Sequence, residues 1–151
     1  MPKPASRKKQ RKILLAESDV IVRLGLAQHL RACAHVVLEA SNAQEAKAIL
    51  QAGQICEVLI CDPQLEGAES GFGIAQWVRR HRNKTRVVLA ATLHAKTLAV
   101  VELCGSTPNE APQDAAALGD KIRLMLAERA RRARPRASSA IAQARRKQVQ
   151  P

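Results

Sequence analysis

Val58-Leu59-Ile60-Cys61-Asp62-Pro63-Gln64-Leu65-Glu66-Gly67 decides the fold of this chain. An apolar run ends abruptly in one carboxylate, and Pro63 and Gly67 mark the loop that follows. A continuous apolar run of strand length suits a parallel strand buried on both faces, and open α/β sheets gather their ligand sites at the carboxyl ends of such strands. A second passage from strand to acid lies upstream, where Ile13-Leu14-Leu15-Ala16 runs into Glu17-Ser18-Asp19. Acids that end two adjacent strands can share a divalent cation, and a carboxylate beside Mg²⁺ can accept a phosphoryl group.

Outward from this stretch, strands and helices alternate. Lys12–Ala16 reads as a first strand. About Asp19–Cys33 reads as a helix with Val22, Leu26, Leu30 and Cys33 on one face. His35–Glu39 is a short second strand, and Ser41 or Asn42 caps a helix that runs to Gln51 before Gly53 stops it. Glu57–Cys61 is the third strand. A helix with Ile74, Trp77 and Val78 inward follows the Asp62–Glu69 loop, and Arg86–Ala91 is the fourth strand. The spacings fit βαβ crossovers. Leu98–Cys104 reads as a fifth strand, but Thr92–Thr97 is about half the length of a crossover helix. The fourth helix is therefore expected to be shortened or lost. Pro112 opens a last helix with Leu118, Ile122, Met125 and Leu126 inward, which extends into Arg129–Arg134 until Pro135 stops it.

Charge divides the chain differently. The formal net charge is +12 over 151 residues, yet residues 1–12 hold six cations and residues 129–151 hold eight, with no acid in either segment. The intervening stretch keeps 11 cations against 13 acids, so the body is slightly acidic and the high pI belongs to the ends. Three regions are expected: a disordered basic arm (1–11), one α/β domain (12–134) and a disordered basic tail (135–151). Lys and Arg in the arms are suited to salt-sensitive contact with nucleic acid, and equally to acting as solvated tails. Aromatic residues for base stacking are absent from both. Cys33, Cys56, Cys61 and Cys104 read as buried thiols of a reducing cytosol, with no zinc-site spacing between them. His29, His35, His81 and His94 read as surface or structural residues without ligand spacing to one another or to the cysteines. No apolar run approaches the ~20 residues of a membrane span, and no signal peptide precedes the first strand. A soluble, cytoplasmic protein is expected.

Leu14-Leu15-Ala16-Glu17-Ser18-Asp19, the stretch from Leu59 to Gly67, and Ser70-Gly71 before the third helix together resemble the receiver domain of bacterial two-component response regulators. The resemblance covers about residues 12–128. It implies a flavodoxin-like, doubly wound five-stranded parallel sheet of order 2-1-3-4-5. It also implies that Asp62 occupies the phosphoacceptor position, with Mg²⁺ held by Glu17, Asp62 and the backbone carbonyl of Gln64. Four positions depart from the family pattern. Ser18 replaces an acid, which implies a weakened or lost Mg²⁺ site. Ala91 replaces the hydroxyl residue after the fourth strand, with Thr92 one place later. Thr107 stands where a lysine is expected, and Gly105 where an aromatic is expected.

The implied function is a signal-transduction receiver in a two-component or phosphorelay pathway. Its implied partners are a histidine kinase or phosphotransfer protein and an output protein. Two alternatives stand beside it: a phosphorylation-independent pseudo-receiver that acts as an interaction module, and a small basic nucleic-acid-binding protein that acts through its arms. The sequence has no nucleophile–base pair and no glycine-rich phosphate loop, so it is not expected to be an enzyme.

Overall fold

The structure is a computed structural model that describes residues 9–148, with side chains through Arg134. Most of the expected N-terminal arm lies outside the described residues. In chain order the elements are β1 (Lys12–Ala16), α1 (Val20–Ala32), β2 (Val36–Ala40), α2 (Ala43–Gln51), β3 (Val58–Cys61), α3 (Gly71–His81), β4 (Arg86–Leu89), α4 (Leu93–Leu103) and α5 (Ala111–Gln148). All strand pairings are parallel, in the order β2-β1-β3-β4.

The central strands are buried on both faces, as their apolar runs imply. Ile13 and Leu15 of β1, with Val58 and Ile60 of β3, face a core completed by Leu26 and Leu30 of α1, Val100 and Val101 of α4, and Leu118 and Ile122 of α5. The alternate residues Leu14, Ala16, Leu59 and Cys61 face α2 and α3 through Ala46, Leu50, Ile74 and Val78. Period-two alternation on a sheet covered by helices on both faces produces these two cores.

Helix starts follow side-chain chemistry at the expected places. Asp19 caps α1 by accepting from the Ile21 and Val22 amides at 2.9 and 3.1 Å. Asn42 caps α2 through the Glu45 amide, and Glu45 reaches back to the Ser41 amide at 2.9 Å. Each cap satisfies amides that the first helical turn leaves without partners. At the end of α1, Ala34 takes a left-handed conformation (φ 68°) so that the His35 and Ala34 amides can close onto Leu30 and Arg31.

Two expectations are corrected. Among the described residues there is no fifth strand, so the expected order 2-1-3-4-5 ends at 2-1-3-4. The fourth helix is neither shortened nor lost; it takes in the segment assigned to that strand. Lys96, Thr97, Val100, Val101 and Cys104 are the buried positions, which is a helical rather than a strand period. Thr92 caps the helix by accepting from the Ala95 amide at 3.0 Å. Gly105, at φ 89°, ends it, with the Ser106 and Gly105 amides bonded to the Val101 and Glu102 carbonyls. That is a Schellman cap, which favours glycine at this point. A short apolar run is ambiguous between strand and helix, and here the caps at both ends decide for helix.

The last helix also differs from expectation. Its backbone stays helical past position 135 to Gln148, where the sequence reading ends it at Pro135. Residues 129–148 are dominated by Ala, Arg and Gln, all strong helix formers, which opposes the ~3 kcal/mol cost of an interior proline.

Candidate functional site

Register brings the two strand-end acids together. Ala16 of β1 pairs with Cys61 of β3, so Glu17 and Asp62 leave adjacent strands at the same level. Gly71 at the start of α3 lies against the Asp62 backbone, where any Cβ would collide with the Asp62 carbonyl. The missing side chain is what lets α3 start this close to the acid loop.

The group that organises the site is Lys96, which the sequence reading did not single out. Its ammonium lies 2.6 Å from Glu17 Oε2 and 2.7 Å from Asp62 Oδ2. The side chains of Lys96 and Glu17 are 9% and 5% exposed, and that of Asp62 14%. The second oxygen of each acid is also engaged. Glu17 Oε1 accepts from the Asp19 amide at 3.2 Å, and Asp62 Oδ1 accepts from the Gln64 amide at 2.8 Å. Each carboxylate thus has one backbone donor and a half share in one ammonium. Burial alone would push Lys96 down, but its hydrogen bonds to Asp62 and Glu17 and their charges prevail and hold it above the ordinary lysine value.

The other positions taken from the resemblance have local roles. Ser18 Oγ accepts from the Glu66 amide at 2.9 Å, tying the β1 loop to the β3 loop. Asp19 is fully used, by its cap and by Arg129, whose guanidinium meets its oxygens at 2.9 and 3.2 Å. Ala91 is exposed and offers no hydroxyl, and Thr92 Oγ1 is committed to its cap. Thr107 and Gly105 flank the α4–α5 turn. Thr107 exchanges hydrogen bonds with Glu110 before α5, and Gly105 closes α4. The resemblance places both after a fifth strand, which the described residues do not contain.

The oxygens that would face a divalent ion, Glu17 Oε2 and Asp62 Oδ2, face an ammonium instead. A cation that prefers octahedral oxygen ligands and retains water does not fit among these groups as arranged. The neighbouring thiol contributes nothing reactive. Burial, then the charges of Asp62 and Glu17, push Cys61 up to about 12.

The cysteine expectation is also corrected. Cys56 and Cys61 are buried thiols, but Cys33 and Cys104 form a disulfide across 71 residues. His29 joins them, with its ring and the two sulfurs within 4.8 Å of one another. This corrects the reading of His29 as lacking ligand spacing to the cysteines: His29 and Cys33 are four residues, one helical turn, apart, and the fold brings Cys104 to them.

No protein-family model matches the chain, and no curated protein matches its sequence. Solved structures do match its fold. A CheY-like response regulator receiver domain protein from Methanospirillum hungatei superposes with a TM-score of 0.52 at 14% identity, covering 78% of this chain and 99% of its own. Chemotaxis response regulator CheY4 of Vibrio cholerae gives 0.52 at 18% identity, covering 76% and 99%. The response regulator TrrA, solved in complex with the histidine kinase ThkA, belongs to a structure that matches with a TM-score of 0.50 at 21% identity, covering 56% of this chain and 71% of the matched one. No described helix is long and apolar enough to cross a membrane. The chain has the fold of CheY-like response-regulator receiver domains, with helix α4 in place of the expected fifth strand.

Proposed function

We propose that this chain is a signal-transduction receiver module of the pseudo-receiver kind: an interaction domain that works without phosphorylation at Asp62. The observation that carries the reading is the bridge from Lys96 to both acids. Receiver chemistry needs two carboxylates with net negative charge to hold Mg²⁺, and a free oxygen on the acceptor to attack a phosphodonor. Here the buried ammonium supplies the positive charge permanently and engages one acceptor oxygen, while the Gln64 amide engages the other. Breaking a buried pair of this kind by removing one partner is costly, so the bridge opposes release of either acid.

Output then depends on a protein partner that docks on a fixed surface, because the acids and their neighbours do not change state. A histidine kinase or phosphotransfer protein remains a candidate docking partner, as the ThkA–TrrA pair illustrates for its own regulator. No phosphoryl transfer would be needed for such binding.

Incubation with Mg²⁺ and radiolabelled acetyl phosphate tests the proposal. The wild type should take up no label, and its amide spectrum should stay unchanged with Mg²⁺ and beryllofluoride. Label incorporated in one equivalent and lost in Asp62→Asn would overturn the reading and restore a phosphorylated receiver.

A further inference from the structure

We propose that His29, Cys33 and Cys104 form a redox-gated zinc site: the dithiol binds Zn²⁺ together with the His29 imidazole, and oxidation to the disulfide expels the metal. Three features of the cluster carry this.

The first is ligand chemistry. One imidazole and two thiolates are borderline-soft donors that favour Zn²⁺ over Mg²⁺ or Ca²⁺, and structural zinc sites draw on the same set. The second is placement. His29 and Cys33 lie four residues apart on α1, so their side chains leave one helical face, while Cys104 arrives from the cap of α4. The three ligand atoms lie within 4.8 Å of one another, and the Cα atoms of the cysteines are 5.6 Å apart. Bonds of ~2.3 Å to sulfur and ~2.0 Å to nitrogen would set tetrahedral ligand atoms roughly 3.4–3.8 Å apart, so small side-chain rotations separate the sulfurs enough.

The third feature is access. The cluster opens on a groove of about 470 Å³ that is also lined by Ser106, Asp114 and Lys121. Metal and water can enter there, and a water can complete the tetrahedron. Asp114 is engaged by the Ser106 hydroxyl at 2.6 Å and stays outside the ligand set. Lys121 lines the same groove and its charge opposes a cation at His29, so the two thiolate charges must outweigh it.

The two states exclude each other because each uses both sulfur atoms. With a small-molecule disulfide as oxidant, the step balances. The two zinc-bound thiolates lose two electrons and form the Cys33–Cys104 bond. The oxidant's S–S bond breaks and takes up those electrons with two protons, giving two thiols, and Zn²⁺ is released. Both states join α1 to the end of α4, by a covalent bond in one and by a metal in the other.

The test uses the full chain, reduced and kept anaerobic, titrated with Co²⁺ as a spectroscopic probe and then with Zn²⁺. The reduced chain should bind one equivalent of Co²⁺ with the visible bands of a tetrahedral, thiolate-ligated ion, and Zn²⁺ should displace it. Oxidation with a small-molecule disulfide should abolish the signal without any mutation. Cys33→Ser and His29→Ala should each weaken binding by more than the roughly hundredfold that loss of an outer-shell partner costs. A reduced chain with all its thiols titratable but no tetrahedral cobalt spectrum would overturn the proposal. So would binding that survives oxidation, or binding unaffected by both substitutions, since the metal would then be held elsewhere.

Discussion

Replacing Lys96 with methionine keeps the length and the apolar stem of the side chain while removing the charge, so it isolates the ammonium. Glu17 and Asp62 would then face each other in a nearly closed site, with side chains 5% and 14% exposed and no cation between them. Removing one partner from a buried ion pair typically costs about 3–5 kcal/mol, most of it from the charge left uncompensated. Applied here, Lys96→Met should lower the unfolding free energy by about that amount at pH 7, a large share of the 5–15 kcal/mol typical of a domain.

The deficit should shrink with Mg²⁺, because the variant regains a vacant pair of carboxylates. At a Mg²⁺ concentration one hundred times its dissociation constant, the folded state recovers ~2.7 kcal/mol. The assay is urea unfolding of wild type and variant at pH 7, with and without Mg²⁺. A neutral-pH deficit under about 1 kcal/mol, the range of an exposed ion pair, would refute the reasoning. Equal Mg²⁺ stabilisation of wild type and variant would refute it too, because Lys96 would not be what excludes the metal.

Further expectations follow from the same geometry. Lys96 is held above its ordinary value of 10.5, so its contribution is complete below that pH and is lost as pH rises through the higher folded value; alkaline titration followed by circular dichroism should show this loss in wild type and not in Lys96→Met. Ser18→Asp should tighten Mg²⁺ binding in the Lys96→Met background and leave wild type unresponsive, as read by isothermal titration. Gly71→Ala should destabilise the fold and shift the amide signals of the Asp62 loop, because its Cβ meets the Asp62 carbonyl. Ala34→Gly should stabilise by roughly 1 kcal/mol in urea unfolding, since the residue holds a left-handed backbone (φ 68°) that glycine adopts without strain. If the basic ends bind duplex DNA, the affinity should fall steeply with added salt and vanish when residues 1–11 and 135–151 are removed, as measured by fluorescence anisotropy.

The parts of the fold legible in the sequence were those fixed by local chemistry. Apolar runs ending in Glu17 and Asp62 located β1 and β3, the period of Val22, Leu26 and Leu30 located α1, and the capping pair Ser41 and Asn42 located α2, because each signal needs only a few neighbouring residues. The segment from Leu98 to Cys104 misled because its hydrophobicity was read ahead of its period. Counting from Thr92 instead, an N-cap is followed by inward positions 96, 97, 100, 101 and 104 and then by a terminating Gly105, all of which indicates helix.

That single misreading also concealed the centre of the site. With a strand at 98–104, Lys96 falls in a short turn. With a helix at 93–103, it sits one turn before Val100 on the buried face, where a lone cation costs free energy unless acids meet it. Among the described residues, the acids that meet it are the two that end β1 and β3. The helical period of residues 93–103 and neutralisation of the acid pair are therefore linked structurally: the buried face of α4 carries the lysine to Glu17 and Asp62. In a chain that keeps Glu17 and Asp62 but loses Lys96, a divalent cation could take its place. The dependence of folding on Mg²⁺ in Lys96→Met thus tests, in one measurement, whether this site has exchanged a metal for a side chain.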